Sequence, residues 1–292
     1  MSSKVSRCAE SMQTRHQQFA RGHIMVMCAP NGARRTHADH PSLPVTADEL
    51  ADCAATMLEA GASVLHLHVR DENGRHTLDA DAYRAAIHRI RRKVGTRLIL
   101  QATTEAVGRY TPEEQKAVVR ELRPEAVSLA LRELCPVDSA EPAAAAFFGW
   151  LSREHIWPQY ILYSIEDLQR FESMRRRGVF AEDHPSCLLV LGRYAEERTG
   201  DPAELDDLLP AVDPEGFPWT VCCFGAHEHQ AMLAAHEKGG HVRIGFENNL
   251  LLADGSPAGD NAALIAQFTA VIAHSTRRPA RADEVRDAFM FR

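Results

Sequence analysis

The chain has 292 residues, 45% apolar and 25% charged, enough to bury a core as one large domain or two small ones. Its 33 Lys and Arg against 40 Asp and Glu leave a net charge of −7, which opposes general affinity for nucleic acid. No apolar run approaches the roughly 20 residues of a membrane-spanning helix, and residues 1–22 lack the apolar centre of a signal peptide, so the expected compartment is the cytoplasm.

Residues 1–22 read as an N-terminal extension, either without fixed structure or packed on a neighbouring subunit. An apolar run at 24–29 (IMVMCA) predicts the first strand. A loop reading APNGAR follows, then a helix over 46–60, opened by a Thr46/Glu49 capping box and stopped by Gly61. Further strands are predicted at 63–69, 97–102, 126–131, 157–163, 187–192, 218–224 and 241–246. Helices alternate with them at 79–94, 111–122, 139–154, 164–178, 202–209, 227–238 and 259–274. Eight βα pairs in this length predict an α/β fold of the (β/α)8 barrel class, with 23–292 as a single domain. An open dinucleotide-binding sheet fits less well, because the first βα turn lacks the glycine-rich fingerprint.

Barrel chemistry sits at the C-terminal ends of the strands, where His66 and His68 close the second strand. Alternation along a strand turns residues i and i+2 to one side, so this HxH pair aims two imidazoles at one point. Glu247, just after the eighth strand, is the candidate third ligand, since strands two and eight are separated only by strand one. Two imidazoles and a carboxylate leave Zn²⁺ the open position of a catalytic site. Arg243 on the eighth strand needs an anion, and a substrate carboxylate or an internal salt bridge would both serve. His37, His40, His227 and His229 read as loop or surface residues. The seven cysteines, with no CxxC pair, read as reduced thiols, mostly buried, and the clusters Arg89 to Lys93 and Arg175 to Arg177 as solvated helix faces.

The segments APNGAR at 29–34, HPSLPVTADELADCA at 40–54, EAGASVLHLHVRDENGR at 59–75, GGHVRIGFENNL at 239–250 and RPARADEVR at 278–286 together resemble the β-keto acid cleavage enzymes. That resemblance implies a (β/α)8 barrel, usually homotetrameric, with zinc held by His66, His68 and Glu247. It also implies an exchange in which a β-keto acid and acetyl-CoA give acetoacetate and a new acyl-CoA. Arg243 matches the family arginine that polarises the reacting groups. Thr103 and Thr104 lie where the family sets a hydroxyl against the substrate, and Ser128 and Asn31 are further candidate substrate contacts. Gly225, before a helix N-terminus, is a candidate for the CoA phosphate.

Two departures stand out. The family commonly has an aspartate as general base directly after the zinc glutamate, and here that position is Asn248, whose amide cannot accept a proton. Glu105 and Glu133 are the candidate replacement bases. The family's fifth strand usually carries acids that meet an amino group of the substrate, whereas this chain reads PQYILYS at 158–164. The keto acid is therefore expected to be neutral or anionic at its distal end. Two alternatives compete: a metal-dependent hydrolase of the amidohydrolase kind, which would carry HxH on strand one and further histidines on middle strands, and a metal-binding protein of this fold without the exchange activity.

Overall fold

A computed structural model describes residues 15–182, 184–194, 199–211 and 218–289. Residues 1–14 of the expected extension, with Cys8, lie outside them. Eight parallel strands close a barrel: β1 (Val26–Cys28), β2 (Val64–Leu67), β3 (Ile99–Thr103), β4 (Ala126–Ala130), β5 (Trp157–Leu162), β6 (Ser186–Leu191), β7 (Trp219–Cys223) and β8 (His241–Ile244). Each pairs with its sequence neighbour, and β8 pairs with β1 to complete the ring. The helices outside it are α1 (Ala47–Glu59), α2 (Ala80–Val94), α3 (Pro112–Leu122), α4 (Glu141–Arg153), α5 (Ile165–Arg176), α6 (Glu204–Leu208), α7 (Glu228–Glu237), α8 (Asn261–Val271) and α9 (Ala282–Phe289). The fold is a (β/α)8 barrel, and no described helix is long and apolar enough to cross a membrane.

Local chemistry explains the element ends. The Thr46 hydroxyl accepts from the Glu49 amide while the Glu49 carboxylate takes the Thr46 amide, so α1 opens on the expected reciprocal cap. Thr111 and Glu114 repeat the device at α3. Arg89 and Lys93 on α2 pair with Asp48 and Asp52 on α1, so two cations of the exposed basic cluster face the neighbouring helix.

The barrel interior is layered. Met27, Val64, Ile99, Ala126 and Trp157 make an apolar floor, closed from below by Phe19 of the helical segment 15–22 and by Phe289 of α9, whose rings meet edge to face. His66, Gln101, Gln159, Thr220 and Arg243 form a buried polar layer above it. Higher still, Ala130, Ile161, Val190 and Phe224 make an apolar wall on the β4 to β7 side. Below the ring, His23–Ile24 pairs in parallel with Arg278–Pro279. There the Arg277 guanidinium donates to the carbonyl oxygens of His23, His236, Gly239 and Gly240.

Candidate active site

The strand ends of β2, β3, β5, β6, β7 and β8 surround a cleft of about 310 Å³, its open mouth included. At its base His66 Nε2 and His68 Nε2 face each other at 3.1 Å, and Glu247 Oε2 lies 3.6 and 3.5 Å from them. A tetrahedral zinc with bonds of about 2.0–2.2 Å spaces its ligand atoms by roughly 3.3–3.6 Å. The three atoms therefore already stand near the corners of one coordination tetrahedron. Glu247 Oε2 is buried with no hydrogen-bond partner among the described residues, an atom aimed at something that protein groups do not supply.

The polar layer fixes which histidine nitrogen is free. Gln159 Nε2 donates to Thr220 Oγ1 at 3.1 Å, and Gln101 Nε2 donates to Gln159 Oε1 at 3.2 Å. Gln101 Oε1 is thereby turned toward His66 Nδ1, 2.8 Å away, and only a protonated Nδ1 satisfies it. The lone pair of His66 is then on Nε2, facing the cluster, so this donor set fits a divalent cation and orients it through an outer partner.

Two backbone features hold Glu247. Gly245 has φ +143°, and a Cβ there would lie 2.4 Å from the Ala29 carbonyl oxygen. Gly32, at φ +61°, presses against the Glu247 side chain so closely that a Cβ would lie 2.5 Å from Cγ. Arg243 is buried; its NH2 reaches Glu247 Oε1 at 3.4 Å, Asn248 Oδ1 at 3.3 Å and Cys222 Sγ at 3.2 Å. Of the two expected roles, the internal ion pair is present, and the guanidinium also lines the cleft.

Burial lowers the His66 imidazole to about 3, with Arg243 adding to the effect. Burial pushes the Glu247 carboxyl up, but Arg243 and the two imidazoles more than offset it and leave the group well below the usual range. Elsewhere burial lowers His16 to about 4 and His76 to about 3, depresses His241, and raises Glu182 to about 7 and Glu228 to about 8. The signs oppose. Below pH 6.5 the unfolded chain protonates the four histidines and the folded one does not, so stability is lost as pH falls toward 3–4. From 4.5 upward the unfolded chain ionises the two glutamates and the folded one does not, so their contribution is lost as pH rises through 7–8. His229 and His236 shift like the four histidines and Glu133 like the two glutamates, so six groups against three predict a stability maximum of the chelator-treated protein near pH 6–6.5, with the acid side steeper. Melting temperatures from pH 4.5 to 8.5 check this, and a monotonic rise to pH 8.5 contradicts it.

Other expected residues are placed as follows. Thr103 and Glu105 line the cleft. Thr104 is turned away: its hydroxyl donates to the Ser128 carbonyl oxygen at 2.9 Å, because adjacent residues at a strand end face opposite sides. Ser128 Oγ is buried and without a partner among the described residues. Asn31 is a clamp rather than a cleft residue, its amide donating to the carbonyls of Pro44 and His68. Asn248 Oδ1 steadies Arg243 and offers no base. Glu133 does not line the cleft, since its carboxylate takes the Ala106 amide and Gln115 Nε2. The Gly225 amide already donates to the Asn248 carbonyl and the neighbouring helix start is occupied by the buried Glu228, so no N–H of Gly225 stands free for a phosphate. Arg193 and Tyr163, which no motif marks, are part of the cleft wall.

A family model described as beta-keto acid cleavage enzyme matches residues 23–290. Among curated relatives, the 3-keto-5-aminohexanoate cleavage enzyme of Fusobacterium nucleatum subsp. nucleatum is 29% identical, over 90% of this chain and 96% of its own. The 3-oxoadipate:acetyl-CoA acetyltransferase of Cupriavidus necator is 24% identical, over 85% and 87%. Among solved structures, the apo structure of ObcA superimposes with a TM-score of 0.69 at 16% identity, covering 85% of this chain. The chain spans 65% of the length of that ObcA structure, and at this identity the likeness shows the barrel alone.

Proposed function

The chain belongs to the beta-keto acid cleavage enzyme family, and from that premise we propose that it is a zinc-dependent acyltransferase exchanging a β-keto acid with acetyl-CoA to give acetoacetate and a new acyl-CoA. The observation that carries this reading is the convergence of His66, His68, Glu247 and Arg243 on one cleft. Zinc held by the first three would supply Lewis acidity toward the oxygens of a keto acid.

The chain's own residues do the rest. Gln101 fixes the His66 ring and its tautomer. Arg243, its charge strengthened by Cys222 and Glu247 against the cost of burial, faces negative charge developing on the reacting carbons and oxygens. The apolar wall of Ile161, Val190 and Phe224 excludes water from the opposite side. With Asn248 unable to accept a proton, Glu105 is the carboxylate besides Glu247 that lines the cleft, and it takes the place of the missing base in this reading.

Incubating the zinc-loaded protein with acetyl-CoA and a panel of β-keto acids is expected to yield acetoacetate, measured together with the new acyl-CoA. The amino-substituted 3-keto-5-aminohexanoate is expected to be a poor substrate, because β5 presents Gln159, Ile161 and Tyr163 where an acid would be needed. Absence of acetoacetate with every member of the panel would leave a metal-binding protein without the exchange.

A further inference from the structure

Arg193 stands at the C-terminal end of β6, four strands around the ring from β2 and so across the mouth from His66 and His68. Gly192 sends it there. This residue has φ +76° and packs so tightly on the returning backbone that a Cβ would lie 2.1 Å from the Gly200 amide nitrogen. The guanidinium is only 15% exposed, lies 5.3 Å over the Phe224 ring, and among the described residues has one ion-pair partner, Glu105 of the β3 end, at 2.7 Å. This pair spans the mouth above the metal cluster, because the other oxygen of Glu105 lies 4.0 Å from His68 Nδ1. A substrate bound at the cluster therefore lies against this pair.

The two partners are not equally able to be parted. Glu105 keeps favourable neighbours when Arg193 leaves. With His68 Nε2 turned to the metal, the proton of His68 is on Nδ1, which is buried, has no hydrogen-bond partner and faces Glu105. Arg70 adds its field from the same side. Among the described residues Arg193 has less reserve: Glu133 acts on it without an ion-pair contact, its carboxylate being held by the Ala106 amide and Gln115, and the cleft wall beside it is Val190 and Phe224, where a buried cation left without a contacting anion is costly. Phe224 holds the guanidinium in place without neutralising it.

We infer that Arg193 is the specificity-determining residue of the cleft and binds the distal carboxylate of a β-keto dicarboxylic acid, which replaces Glu105 as its partner. The inference rests on the reading of the cleft as a β-keto acid site and sharpens it from a neutral or anionic tail to an anionic one. A methyl-ended keto acid offers Arg193 no anion and leaves its pair with Glu105 in place. An amine-ended one sets a cation beside it.

The test uses zinc-loaded full-length protein and two six-carbon probes, 3-oxoadipate and 3-oxohexanoate, which differ by a carboxylate against a methyl group. Calorimetric titration without acetyl-CoA is expected to show 3-oxoadipate bound roughly 10- to 100-fold more tightly, the range for a hydrogen bond to a charged group. Arg193→Gln is expected to erase that preference while keeping its zinc and its affinity for 3-oxohexanoate, and Arg193→Lys to restore part of it. Equal binding of the two probes overturns the inference, as does an Arg193→Gln variant that weakens both alike or a preference for an amine-ended keto acid. The acetyl-CoA assay separates the two readings. A 3-oxoadipate preference without acetoacetate formation upholds Arg193 and refutes the exchange, whereas exchange with no preference between the probes upholds the exchange and refutes Arg193.

Discussion

His66→Ala is expected to abolish stoichiometric zinc binding and, with it, the exchange. The substitution removes one of three ligand atoms that lie within 3.6 Å of one another, and it leaves Gln101 Oε1 without the proton it now accepts. Metal analysis after dialysis reads the first effect and the acetoacetate assay the second. A control separates loss of a ligand from loss of its support: Gln101→Leu keeps all three ligands but releases the His66 tautomer, and outer-partner changes of this kind weaken metal binding by roughly 10- to 100-fold rather than abolishing it. If His66→Ala retains one zinc per chain, the ligand assignment fails.

The second large effect is expected at a residue with no chemistry of its own. Gly32→Ala introduces a Cβ at φ +61° and 2.5 Å from Glu247 Cγ, so the new methyl is strained at the backbone and drives into the one carboxylate of the cluster. Gly74→Ala makes a control at nearly the same angle, φ +72°, where the nearest atom is Val45 Cγ1 at 4.0 Å. Both variants bear the left-handed strain of roughly 1–2 kcal/mol, so their difference isolates the displacement of Glu247. Zinc affinity is expected to fall at least about 10-fold in Gly32→Ala and to stay unchanged in Gly74→Ala. Equal affinities in the two variants would mean that Glu247 relaxes freely and that the glycine does not position it.

The barrel was legible because its eight strands are short apolar runs separated by capped helices, and capping chemistry is local: Thr46 and Glu49 act within one turn. The proximity of the candidate metal-binding residues was legible for a related reason, since His66 and His68 are two residues apart and Glu247 lies one strand removed across β1. Alternation along β3 carries further information. Gln101, Thr103 and Glu105 are spaced by two and all face inward, which identifies Gln101 as the partner of His66 and turns Thr104 outward. Arg193 had no such signature. Its meaning depends on Glu105, 88 residues earlier in the chain, and only ring closure brings the two together. The role of Gly32 was equally hidden, because a glycine in a loop reads as a turn until the side chain pressed against it is known.

The parallel pairing of His23–Ile24 with Arg278–Pro279 sets a clock on synthesis. Arg277 and His23 lie 254 positions apart, and at 5–20 residues per second their meeting waits roughly 13 to 50 s on the ribosome. Through most of that interval β1 has β2 on one side and an open edge on the other, an invitation to pair with a foreign strand until β8 arrives. A nascent chain lacking β8 therefore has an open sheet edge, not a smaller closed barrel.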